Sequence, residues 1–238
     1  MNLDYADIFA VRGHRYHRAM TRVPGARRLE FARLFDRCPA LPGESLLDLP
    51  AGGGYLRAHL PEGVHTTSRE LTGGFQAGTE VLGAEDWALG QFDHVVCLAA
   101  LHHIEDQPGF LSRLAGHVAP GGTLHVADVA AGTGLARFLD GFVGRYNETG
   151  HEGRYLDPDR LPLTGALRAG VVRADELDCP WLFVDETQML DFCTDLFGLA
   201  DCPAAALLDA LDRDVGVERR PDGVALRWRL LYMDVRPG

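Results

Sequence analysis

A short apolar run that ends in an acid and breaks into glycine, Leu47-Asp48-Leu49-Pro50-Ala51-Gly52-Gly53-Gly54, is the stretch best suited to holding a small molecule. Gly52 and Gly54 let backbone come close to a ligand with no Cβ in the way. A helix starting just after the turn would aim its free N–H groups at the same place. Pro50 has no N–H and a fixed φ, which removes one backbone contact from the turn. Two histidines, His102 and His103, follow a second apolar run, Phe92–Leu98, where a substrate would approach. An imidazole near its ordinary pKa of about 6.5 accepts a proton at neutral pH. The same pair would serve packing or helix capping as readily. Near the N-terminus Arg12, Tyr16 and Met20 stand four apart, on one face of a helix.

Several other chemistries are excluded. All 23 basic residues are arginine, so there is no Schiff-base lysine, lysine base or phosphate-loop lysine. Counted from Gly52, the dinucleotide pattern Gly-x-Gly-x-x-Gly fails at Arg57. The nucleophile pattern Gly-x-Ser-x-Gly fails at Ser45, Ser68 and Ser112, none of which has both flanking glycines. His14 and His17 form only His-x-x-His with no third ligand in a fixed frame, so no metal site is expected. A net charge of −11 argues against nucleic acid and anionic membranes as partners. There is no run of 18 apolar residues and no signal-type N-terminus. Five cysteines without Cys-x-x-Cys suit the reduced thiols of a cytoplasmic protein.

The elements that must position these residues show in the spacing. Residues 5–38 have the period of helices, closed by Pro39 and Pro42-Gly43. Residues 45–49 read as a buried strand and 55–60 as a helix: strand, glycine turn, helix. Phe92–Leu98 is a second strand, 110–118 a helix, Pro120-Gly121-Gly122 a turn and 123–129 a third strand. Near-continuous apolar strands separated by helices indicate a parallel sheet covered on both faces. Residues 135–146 read as helix, and 147–175, rich in Gly, Pro, Asp and Arg, as a loop or cap. Residues 181–184 read as strand, 187–196 and 204–211 as helices. A hairpin turning at Pro221-Asp222-Gly223 closes the chain, with 225–235 as its second strand. Trp181 and Trp228 read as core.

From Asp48 to Gly54 the sequence resembles the first motif of the class I S-adenosylmethionine-dependent methyltransferases, an acid followed by Gly-x-Gly-x-Gly with Pro50 at the first glycine. Further blocks fall in that family's order: Val64 to Glu70, Asp86-Trp87, Phe92 to Asp106, and Ala119 to Leu124. The resemblance covers roughly residues 45–130. It implies a single α/β domain over 1–238 with a doubly wound, mostly parallel, seven-stranded Rossmann-like sheet and helices on both faces. Within it, 1–42 would be a helical lid, 43–130 the cofactor-binding half and 131–238 the substrate-side half.

The resemblance also implies that Asp48 orders the loop and reaches the amino-acid end of S-adenosylmethionine. Glu70, 22 residues on, would accept both ribose hydroxyls. Asp86 and Trp87 would meet adenine. Only 16 residues separate Glu70 from Asp86, so that role could pass to Glu85. The reacting methyl would sit beyond Leu98, where His103 is expected ahead of His102 as the base. Arg12 would pair with the cofactor's carboxylate and Tyr16 would lie over its sulfonium. A small-molecule acceptor is expected, with its methylated atom left open. A homodimer is compatible with the sequence. The alternative is a non-methylating enzyme or binding protein that uses the same cofactor.

Overall fold

The computed structural model describes residues 5–75, 78–83 and 87–238. Seven strands form the main sheet: β1 (Ser45–Asp48), β2 (His65–Glu70), β3 (Glu80–Val81), β4 (Phe92–Leu98), β5 (Val118–Asp128), β6 (Val171–Asp178) and β10 (Arg229–Val235). Their order is β3-β2-β1-β4-β5-β10-β6. The first five are parallel neighbours, and β10 runs antiparallel between β5 and β6. A separate antiparallel sheet holds β7 (Trp181–Phe183), β9 (Gly223–Leu226) and β8 (Val217–Arg220).

Alternation along the strands divides the core in two. Leu46, Val96, Ala127 and Leu230 face one side; their neighbours Leu47, Val95, Val126 and Leu231 face the other. On the first side lie α2 (Arg28–Arg33), α7 (Glu186–Leu196), α8 (Ala204–Asp214) and the helical run of α4 (Gly134–Arg137), a π-helical turn (Phe138–Val143) and α5 (Gly144–Tyr146). On the second lie α3 (Gln107–Ala115) and α6 (Gly165–Ala169). The long α1 (Tyr5–Arg22) spans both cores at the carboxyl end of the parallel strands. No described helix is long and apolar enough to cross a membrane. All five cysteines are free thiols.

Four expectations need correction. The helix after the glycine turn is only a five-residue 3-10 segment, Tyr55–His59, so no α-helix N-terminus stands behind the turn. Pro120-Gly121-Gly122 does not precede the third strand but lies inside β5, where the pairing with β4 slips between Phe92 and His94. The segment 147–175 ends in α6 and the start of β6. The predicted strand 225–235 breaks at Arg227-Trp228, sending β9 to the small sheet and β10 to the main one.

A polar chain crosses the sheet on the side covered by α2. Glu44 meets His94 Nε2 at 2.9 Å, His94 Nδ1 meets His125 Nε2 at 3.0 Å, and His125 Nδ1 meets Asp234 at 2.9 Å. Arg173 then donates to Asp234 at 3.2 Å. The chain gives the buried Arg173 a carboxylate and satisfies polar groups that would otherwise be costly to bury.

Candidate active site

The carboxyl ends of β1 and β4 open into a cavity lined in part by Asp48, Pro50, Gly52, Leu98, Phe9 and Tyr16. Three consecutive positive φ angles carry the glycine turn away from the strand: +57° at Gly52, +105° at Gly53 and +79° at Gly54. Side chains other than glycine rarely adopt that region. The Gly54 N–H is used on the Ala51 carbonyl, 2.9 Å away. Ala99, just past β4, also has a positive φ of 51° and lines this cavity and the next.

Two buried acids dominate the cavity's electrostatics. Asp48 Oδ2 is buried with no hydrogen-bond partner. Burial, then the neighbouring Glu70 charge, holds its carboxyl well above the usual range. Glu70 accepts from the Gly52 and Leu71 N–H groups, each at 2.7 Å, and from the Tyr5 hydroxyl. Burial outweighs these bonds and pushes its pKa up to about 7. Arg27 lines the cavity, but its charge is met by Glu30 and its Nη1 donates to the Tyr16 hydroxyl. An orphaned carboxylate oxygen beside a second buried acid suits a cationic ligand. S-adenosylmethionine, with its sulfonium and ammonium, fits that donor set.

α1 is seated in the mouth of this cavity. Phe9 stacks on Phe75 at 4.9 Å, and Tyr16 meets Phe75 edge-on at 5.4 Å. The close approach depends on glycine. A Cβ at Gly13 would stand 2.5 Å from the Gly74 carbonyl carbon and 2.7 Å from its oxygen, both backbone atoms. Gly13→Val is therefore expected to lift α1 and raise hydrogen exchange across residues 8–20. Unchanged protection there would show that α1 is held independently of this contact.

A second cavity adjoins the first through Phe9, Tyr16, Arg27 and Ala99. It offers about 520 Å³ of empty space, part of it open to solvent, and Trp181, Phe197, Trp228, Leu139 and Leu230 give it apolar walls. Its polar side holds His102, His103, His151 and Arg12. His102 lies in the 3-10 turn Leu101–His103, and its ring Nδ1 is 2.7 Å from Asp128 Oδ1 at the end of β5. Its backbone N–H donates to Asp128 Oδ2 at 3.0 Å. A carboxylate only accepts, so the ring proton sits on Nδ1 and Nε2 is left as the acceptor. His103 also accepts through Nε2, but that nitrogen is already taken: it lies 3.4 Å from Arg12 Nη2, which only donates. Burial, with His102, Arg12 and His151 adding to it, holds the His103 pKa well below its ordinary value. His151 Nδ1 meets Asp140 at 3.0 Å, and burial lowers its pKa to about 4.

The π-helical turn places both Leu139 and Asp140, one on the cavity wall and the other behind His151. Such turns recur at functional sites. One nitrogen of each of the three histidines lies within 4.8 Å of the others, a spacing that can hold a metal ion. The Arg12 guanidinium opposes that use, because a dication would face a buried like charge.

Asp48, Pro50, Gly52, Leu98 and Tyr16 therefore line the first cavity, with Glu70 hydrogen-bonded to its glycine turn. Arg12 lines the second cavity, not the first. Trp87 lines neither; it packs edge-on against Phe110, with the Arg113 guanidinium 3.9 Å over its ring. Asp86 and Glu85 lie outside the described residues. Sequence reasoning missed His151, Asp128 and Arg27, and it assigned Trp181 and Trp228 to the core alone.

Comparison with known proteins gives this arrangement a family. The profile described as a methyltransferase domain matches residues 16–162. A ubiquinone biosynthesis O-methyltransferase of Aromatoleum aromaticum is 28% identical over 150 residues, 54% of this chain and 64% of that protein. The matched stretch thus spans less than two thirds of that relative. A chain of the Haloferax volcanii complex between the Trm112 methyltransferase activator and its methyltransferase superposes with a TM-score of 0.58. It is 18% identical and aligns over 98% of both chains. A Thermotoga maritima SAM-dependent methyltransferase has a TM-score of 0.57 at 12% identity, over 98% of this chain and 100% of its own. At these identities the structural likeness concerns the fold.

Proposed function

Since the chain belongs to the methyltransferase-domain family, we propose that it moves the methyl group of S-adenosylmethionine to a hydroxyl oxygen of a small organic acceptor. The observation that carries this reading is the His102–Asp128 pair. It presents an accepting nitrogen to an apolar cavity that shares a wall with the cavity of Asp48 and the glycine turn. The cofactor, when bound, supplies an activated methyl.

The chain's own residues supply position and a proton acceptor. Asp48, the Gly52 turn, Leu98 and, after rearrangement of Tyr5, Glu70 would hold the cofactor. Trp181, Trp228 and Phe197 would hold the acceptor and keep water from it. His102 Nε2 would take the hydroxyl proton as the oxygen attacks, and Asp128 would stabilise the resulting imidazolium. Alignment of the two bound molecules contributes much of the rate. The largely apolar lining of the second cavity and the net charge of −11 favour a small acceptor over a nucleic acid. The relative from Aromatoleum aromaticum, an O-methyltransferase, supports oxygen as the atom methylated.

The test is product analysis. The protein, S-adenosylmethionine and a panel of small phenols are expected to yield S-adenosylhomocysteine and O-methylated product in equal amounts by mass spectrometry. Products methylated on nitrogen or carbon would overturn the choice of oxygen. Tight cofactor binding with no transfer to any hydroxylated acceptor would favour a non-methylating use of the site.

A further inference from the structure

We propose that the acceptor carries an ionised carboxylate, which Arg12 receives in the second cavity while a planar body lies against Trp181, Trp228 and Phe197. The proposal rests on reading that cavity as the acceptor site.

Arg12 is the exception among the buried arginines. Arg27 faces Glu30 and Arg173 faces Asp234. Arg12 is 8% exposed and has no carboxylate partner among the described residues. Its Nε is buried without a partner. Its two hydrogen bonds are long, 3.3 Å to the Phe197 carbonyl and 3.4 Å to His103 Nε2, and the Phe9 ring 4.6 Å from its guanidinium carbon brings a π-face but no counter-charge. Burial lowers its pKa to about 10, as expected for a cation whose charge is not met.

The nearby histidines cannot meet that charge, because imidazole is either neutral or cationic. The acids behind them are engaged, Asp128 by His102 and Asp140 by His151 and Tyr155. A guanidinium presents paired donors that match a carboxylate edge to edge. One carboxylate balances one arginine. A phosphate dianion would call for a second cation, and Arg27 is already met by Glu30. The wall supplies the rest of the recognition: Trp181 and Trp228 stack at 3.9 Å, and Phe197 lies parallel within 6.2 Å of Trp181. Flat apolar surfaces select a flat apolar body. Together these features describe an aromatic hydroxy acid, with its acid on Arg12 and its hydroxyl toward His102.

Calorimetry on protein saturated with S-adenosylhomocysteine tests this without turnover. The probes are 4-hydroxybenzoate and 4-hydroxyphenylacetate against their neutral amides. At least one acid is expected to bind about tenfold or more tightly than its amide. Arg12→Met is expected to abolish that preference and leave S-adenosylhomocysteine affinity unchanged. Should Arg12→Met fail to fold, Arg12→Lys keeps the charge without the fork and is expected to retain only part of the preference.

Acids that bind no better than amides, or not at all, overturn the proposal. So does a preference that survives Arg12→Met. A fall in S-adenosylhomocysteine affinity in Arg12→Met would return Arg12 to the cofactor's carboxylate and also overturn it. Acid preference with no O-methyl product would sink the proposed reaction and leave the anion site standing.

Discussion

His102→Ala is expected to lower the single-turnover rate of methyl transfer by about 10²-fold or more, the scale for losing a positioned general base. The affinity for S-adenosylhomocysteine should stay unchanged, because His102 lines the second cavity and not the cavity of Asp48. The two histidines are not equivalent. Asp128 fixes the His102 proton on Nδ1 and leaves Nε2 accepting. The accepting nitrogen of His103 already takes an N–H from Arg12. His103→Ala is therefore expected to change the rate much less than His102→Ala.

Asp128→Asn separates orientation from charge. An amide offers an N–H as well as a carbonyl, so the imidazole can settle with its proton on the wrong nitrogen. The rate should fall with cofactor affinity intact. Asp128 also accepts the His102 and Val129 backbone N–H groups, so thermal melting must accompany the kinetics. A His102→Ala variant with full rate, beside a slow His103→Ala, would reverse the assignment.

The central strands were legible because burial on both faces demands apolar residues throughout. Phe92–Leu98 is read from sequence with its observed bounds. β6 was missed for the opposite reason. It is an edge strand with mostly exposed side chains, Val171-Val172-Arg173-Ala174-Asp175-Glu176-Leu177-Asp178, and carries no apolar run. The break between β9 and β10 was hidden because both halves are apolar and only the change of sheet at Arg227-Trp228 divides them. The 3-10 segment at Tyr55–His59 shows the limit of helical spacing, since six residues can match the period of a helix without forming one.

The site divides along the same line. Asp48, the glycine turn and Glu70 lie at fixed places along two strands, so their spacing carries the signal. His102, Asp128 and His151 come from three elements and meet only in space. His151 sits in a Gly-rich stretch where no period points to it. Arg12 is readable as a chemistry-bearing residue, and its side chain lines the second cavity rather than the cavity of Asp48. The helix face was readable, whereas the direction of a long flexible side chain depends on its packing.

Glu70→Gln is expected to change stability and cofactor affinity in opposite directions with pH. Burial raises the Glu70 pKa from 4.5 to about 7. A carboxyl raised in the folded state holds its proton there longer than in the unfolded chain. Its contribution to stability is fully present below the unfolded pKa and is lost as pH rises through the folded one. Over that window the wild type should lose about 3 kcal/mol that the non-titrating glutamine does not lose. The unfolding free energies of the ligand-free proteins, measured in urea at pH 5 and pH 8, should therefore converge or cross in favour of Glu70→Gln at pH 8. Asp48 titrates beside Glu70, so the wild-type curve belongs to the pair.

Cofactor binding runs the other way. Ribose hydroxyls donate, and an ionised carboxylate accepts them better than a protonated one. Wild-type affinity for S-adenosylhomocysteine should rise as pH rises from 6 to 8, by up to about tenfold as the carboxyl ionises. At pH 8 Glu70→Gln should bind about 1–3 kcal/mol more weakly, the range for losing a charged acceptor, with little dependence on pH. Tyr5 supplies an internal control, because its hydroxyl donates to Glu70 in the ligand-free protein. Tyr5→Phe should tighten wild-type binding, because it removes a donor that competes with the ribose for Glu70. Affinity that is flat with pH in the wild type and unchanged in Glu70→Gln would remove Glu70 from the ribose. The carboxylate would then be left with the structural task of tying the Gly52 turn to β2.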